Sequence, residues 1–152
     1  MRCLLLFLTC VALPMGSVLA QENTDWRVTK QGEIQFAPVE VFLDSGTQSL
    51  GAYQLEFSAK GSDVKIVGIE GGEHPAFQEP PHYDPAALRR QRVILAAFST
   101  ERALPTGRTR VATVHVQYRG KVPQYSAQLT AAASADGKVL PVLLKLQPKN
   151  NP

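Results

Sequence analysis

Residues 50–59 read L-G-A-Y-Q-L-E-F-S-A. Tyr53, Leu55 and Phe57 fall on one side of an extended chain and Gln54, Glu56 and Ser58 on the other. Side chains alternate with period two in a strand, so this is a strand with one face on a core and one in water. Such half-buried strands belong to antiparallel sheets. The same pattern recurs on both sides of the segment. Residues 32–37 carry Ile34 and Phe36 on one face, and residues 39–44 carry Val41 and Leu43. Pro38 between them suits an edge or sheet-switching strand, because proline has no N–H for a ladder. Residues 111–119 direct Ala112, Val114, Val116 and Tyr118 inward. Residues 124–133 offer Tyr125, Ala127, Leu129 and Ala131, and residues 139–146 offer Leu140, Val142, Leu144 and Leu146. Residues 64–69 are apolar on both faces, which fits either a central strand or a bulge at Gly68. Residues 93–98 are continuously apolar and read as a buried strand.

Turn signals separate these runs: S-G-T-Q at 45–48, K-G-S-D at 60–63 and A-D-G at 135–137. The expected fold class is all-β, an antiparallel jelly-roll β-sandwich of eight or nine strands with one short helix. That helix is expected from Asp84 onward, since Asp caps free N–H groups and Pro85 suits the first helical position. The arginines at 89, 90 and 92 read as its solvated end.

The first twenty residues have the form of a signal peptide. Met1-Arg2 is a short basic start, residues 3–13 are apolar, and Val18-Leu19-Ala20 fits the small-residue rule for cleavage. The apolar run is too short to span a bilayer. The organisation is then a signal peptide at 1–20, a polar segment at 21–31 with Trp26, the sandwich at 32–147 and a tail at 148–152. The expected location is periplasmic or extracellular. Both cysteines, Cys3 and Cys10, lie in the leader. Past it there is no thiol, which excludes a disulfide, a cysteine nucleophile and a thiolate metal site. The formal net charge is +3 over 152 residues and falls by one when Arg2 is removed. That balance leaves no basic stripe of the kind nucleic-acid binders carry.

The order V-E-V-F-L-D (39–44), G-A-Y-Q-L-E-F (51–57), V-K-I-V-G-I-E-G-G (64–72), R-V-I-L-A-A-F (92–98), P-T-G-R-T-R-V-A-T-V-H-V (105–116) and A-D-G-K-V-L-P-V (135–142) resembles the cohesin family. The likeness runs from about Val39 to Leu146. It implies the jelly-roll sandwich that cohesins share with certain carbohydrate-binding modules, and it implies protein–protein docking through one flat face. The segment E-H-P-A-F-Q-E-P-P-H-Y-D-P (73–85) departs from the ordinary cohesin pattern and resembles an exported, cohesin-like subgroup.

That segment belongs to a long excursion between two strands and holds the candidate site. Gly71-Gly72 permits a tight, positive-φ path, and the prolines keep the chain extended. The ligand-binding candidates are Glu73, His74, Phe77, His82 and Tyr83. Their rings suit a pyranose face or a buried anchor in a protein partner. Equally, Phe77 and Tyr83 fit a loop folded back over the end of the sandwich. Glu73, His74, His82 and Asp84 are metal-ligand types without tight ligand spacing, so neither a metal nor a cofactor is expected. Glu70, Glu73, Glu79 and Asp84 could pair for acid/base chemistry, or simply solvate a loop and cap a helix. The outward positions Gln54, Glu56, His115, Gln117 and Arg119 form a polar surface, open to a partner or solvated. The expectation is a non-enzymatic binding module that docks a protein, with polysaccharide binding through residues 71–83 as the alternative.

Overall fold

A computed structural model describes residues 32–149. The expected signal peptide, the segment 21–31 and residues 150–152 lie outside the described residues. Seven strands are present among them: β1 (Ile34–Asp44), β2 (Ala52–Lys60), β3 (Val64–Gly71), β4 (Arg92–Phe98), β5 (Arg108–Arg119), β6 (Gln124–Ala133) and β7 (Leu143–Pro148). They form two antiparallel sheets, ordered β3-β5-β1-β7 and β4-β2-β6. The all-β sandwich expected from the alternation is therefore present.

The count is lower than eight or nine because Pro38 does not break a strand. Residues 34–44 run as one piece between β5 and β7. The carbonyl of Pro38 accepts from Lys149 N, on the β7 side. A residue's N–H and C=O point to the same neighbour in an antiparallel ladder. The missing N–H thus faces Lys149, one residue past the last ladder pair, Val39↔Pro148. No ladder bond to β5 is lost.

The core lies between the sheets. Val39, Val41 and Leu43 of β1 meet Leu55 and Phe57 of β2 there, with Val111, Val114 and Val116 of β5, all fully buried. Each such side chain contributes about 1.5–3 kcal/mol of burial.

Four alternation readings change. In β1, Ile34 and Phe36 face outward, 43% and 54% exposed, and Ala37 and Val39 hold the buried positions. In β6, a register shift opposite Gln54/Leu55 reverses the phase, so Ala132 is buried and Ala131 is exposed. In β3, the shift falls between Ile66 and Gly68, leaving Val67 as the bulged residue on an edge strand. In β4, the apolar run is an edge strand, with Ile94 49% and Phe98 70% exposed.

The turn at 134–138 forms as expected. Gly137 adopts φ 79, Gly137 N donates to Ser134 O, and Val139 bridges Ala133. The exposed Asp136 carboxylate accepts from Lys138 and Ser134, which lower its pKa from 3.8 to about 2. A depressed acid stabilises the fold above its unfolded value and loses that contribution as pH falls through the folded one. The turn should therefore hold at pH 4 and loosen toward pH 2. An NMR titration should place the Asp136 midpoint near 2; a midpoint near 4 would show that Lys138 and Ser134 do not hold it.

Candidate functional site

The excursion between β3 and β4 builds upward from its two glycines. Neither has a positive φ; among the described residues the positive-φ glycines are Gly46, Gly107, Gly120 and Gly137. What Gly71 and Gly72 supply is close approach. A Cβ on Gly71 would lie 1.9 Å from Gln78 O, and one on Gly72 would lie 2.3 Å from Arg110 O. This contact lets Gly72 N donate to Phe77 O at 2.6 Å and Glu73 N donate to Arg110 O at 3.0 Å.

Each candidate side chain then has a local task. Glu73 Oε1 accepts from Arg110 N at 2.9 Å and sits 3.5 Å from Thr109 Oγ1, tying the excursion to β5. His74 Nδ1 accepts from Ala76 N at 3.2 Å and caps a 3-10 turn, Pro75–Phe77. Phe77 is buried at 3% exposure, edge-on to Tyr53 with ring centroids 5.4 Å apart. Its ring is core and offers no face to a ligand, which removes Phe77 from the candidates as first read. Tyr83 is half-buried against the same core. His82 alone among the three rings is exposed, and it stacks on Phe98 at 6.4 Å.

Main-chain bonds fasten the far end. His82 exchanges a pair of hydrogen bonds with Ala96 of β4, at 2.7 and 3.0 Å. Asp84 caps Ala86 N as expected, but Pro85–Ala87 is one 3-10 turn and not a two-turn helix. Arg89 turns the chain at φ 72. That conformation costs a non-glycine residue about 1–2 kcal/mol. Offsetting it, Arg89 N donates to Ile66 O and Ile66 N to Arg90 O. The arginine stretch is therefore a main-chain clamp on β3, and its side chains are mostly solvated.

The excursion thus joins the edge of one sheet to the edge of the other. It closes that flank of the sandwich, with Phe77 as its plug. Covering an edge with a loop is a standard protection against unwanted strand pairing. Ligand types do not converge on it: among the described residues no group of three or more His, Cys, Asp or Glu could hold a metal. Glu70 pairs instead with His115 on the neighbouring strand, Oε1 to Nε2 at 3.0 Å. Nε2 has no hydrogen-bond partner by geometry, so this is a close approach and not a directed hydrogen bond.

The two outer sheet faces differ. Gln54 and Glu56 belong to β4-β2-β6, whereas His115, Gln117 and Arg119 belong to β3-β5-β1-β7. The polar positions that alternation grouped together therefore lie on opposite sides of the molecule. On the four-stranded face, Glu40 is 8% exposed and flanked by Lys149 Nζ at 2.8 Å and Arg110 Nε at 3.5 Å. Arg110 also donates to Gly71 O and Thr113 Oγ1. Those charges are occupied with one another.

On the three-stranded face the groups are mostly neutral. Gln54 Nε2 donates to Thr130 Oγ1 at 3.2 Å, and Arg92 pairs with Glu56 at 3.1 Å. Along its β4 margin stand Ile94 and Phe98. Next to Ile94 lies a cleft of about 250 Å³ bordered by Asp84, Arg90, Arg92 and Val93. Alternation missed Ile94 and Phe98 because it does not say how many neighbours a strand has. A strand apolar on both faces reads as central wherever it sits. Among the described residues no helix is long and apolar enough to cross a membrane. No family model, curated protein or solved structure matches the chain.

Proposed function

We propose that the chain is an exported, non-enzymatic binding module of cohesin-like, jelly-roll type. It docks a protein partner on the outer face of β4-β2-β6. The observation that carries this reading is the exposure of Ile94 and Phe98 on a strand apolar on both faces. Clustered apolar side chains on a solvent face mark interaction surfaces. Around them the face supplies amides and hydroxyls for a polar rim, and the cleft beside Ile94 suits an inserted anchor side chain. Glu70, Glu73 and Asp84 each have a structural partner, which favours binding over turnover.

The test is capture from the exported fraction with the leaderless chain and with an I94S/F98S variant. Both side chains are exposed, so the variant should keep its stability within about 0.5 kcal/mol. The native chain should retain one partner in stoichiometric amount, and the variant should lose it. Equal retention by both, or an empty capture with folded bait, overturns the proposal. Polysaccharide binding through residues 71–83 retains one supporting observation, the exposed His82 ring stacked on Phe98. On that reading the retained species is a glycan, and His82→Ala releases it.

A further inference from the structure

The two flanks of the sandwich are finished differently. The excursion closes the β3/β4 flank, where Phe77 and Tyr53 are each 3% exposed. On the β6/β7 flank the inward side chains stay half-exposed: Tyr125 and Leu129 from β6, and Leu144 and Leu146 from β7. β6 is also an edge strand. Its ten residues, Q-Y-S-A-Q-L-T-A-A-A, contain no charge, proline or glycine. Charge and proline normally blunt an edge, and the bulge at Thr130, another such device, lies beyond Leu129.

Its free hydrogen-bonding groups can be assigned. Ala96 uses its N–H and C=O on His82, so β4 meets β2 through Leu95, paired with Leu55. Glu56 therefore bonds the other way, to Gln128 of β6. By alternation Tyr125, Ala127 and Leu129 turn their N–H and C=O groups outward. Among the described residues these groups meet no main-chain partner outside the sheet. The open window has clear ends. Pro123 lacks an N–H at one, and the Ala133↔Val139 bridge with Leu140 N donating to Ala132 O closes the other.

We propose that this window is a homodimer interface, in which β6 pairs antiparallel with β6 of a second copy about a two-fold axis at Ala127. Each outward-facing residue then exchanges a pair of hydrogen bonds, and the three-stranded sheets of both copies join into one. A second copy fits because the strand is neutral and self-complementary. Ser126 of one copy faces Gln128 of the other, with no like charges opposed. The same register lets each copy's strand leave the window at Pro123, which brings its Val122 near the partner's Val139 at the closed end. These two valines are 67% and 87% exposed, and the pairing would cover both.

Sedimentation velocity on the leaderless chain tests this. The expected result is a concentration-dependent species of twice the chain mass. Ser126 and Gln128 are exposed and Gln128 faces Glu56 of β2, so S126K/Q128K should fold normally by circular dichroism and weaken the dimer by about tenfold or more. S126E/Q128K sets opposite charges across the two-fold and should restore it. A native chain that remains monomeric up to about millimolar concentration overturns the proposal. So does a dimer that both double variants leave unchanged.

Discussion

Gly71→Ala should lower the stability of the fold by about 3 kcal/mol or more, at the upper end of overpacking effects. The added Cβ would meet three main-chain atoms, Gln78 O at 1.9 Å, Gln78 C at 2.4 Å and Glu79 O at 2.7 Å. Main chain cannot swing aside as a flexible side chain does, so the excursion must shift as a body. Its shift strains the bonds from Gly72 N to Phe77 O and from Glu73 N to Arg110 O. Urea denaturation should show a lower midpoint with an unchanged slope. Gly68→Ala is the matched control. There the Cβ would meet only His115 side-chain atoms at 3.7 Å and beyond, an ordinary contact. A loss below about 1 kcal/mol for Gly71→Ala would show that the excursion re-routes freely and does not depend on close approach.

Phe77→Ala should cost about 3 kcal/mol, the lower part of the range for truncating a buried phenylalanine. The lower part applies because the ring plugs a flank, where a loop can partly collapse into the space. Its distinctive signature is local. Amides that bond the excursion to the sheets, those of Ile66 and Ala96, should exchange faster with solvent than those at the centre of β1. Phe77→Leu keeps most of the volume and should cost about 1 kcal/mol. If Phe77→Ala loosens β1 as much as Ala96, the plug belongs to the global core and not to a closing strap.

The two experiments mark where the sequence was legible. Period-two alternation identified β2 and β5, because a half-buried strand shows its inner face directly in its residues, and the A-D-G signal identified the turn at 134–138. It failed at β4, since a strand's neighbours are set by topology and its own residues carry no record of them. At β6 the failure came from a bulge opposite Gln54/Leu55. Such a bulge is a tertiary accommodation to sheet twist, and one extra residue inverts every position beyond it. Gly71 and Gly72 were recognisable as special, but conformational freedom and close approach leave the same letter in the sequence. Glu73 and His74 looked like ligands because capping and coordination use the same lone pairs. His74 Nδ1 accepts from the N–H two residues on, much as an Asp does at a turn. The excursion's position was visible in advance. That it spans two sheet edges was not, since both partners, Ile66 and Ala96, lie outside it in sequence.

The short ladder between β1 and β7 has a mechanical consequence. Its open end carries Pro38 on one strand and Lys149 on the other, joined by the bond from Lys149 N to Pro38 O. A pull on the tail against the chain entering β1 therefore loads both strands at the same end. Antiparallel hydrogen bonds lie across the strand direction, so under this load they fail one after another, as in unzipping. Force applied there would strip β7 and open the core beneath Leu144 and Leu146 before β2 felt it.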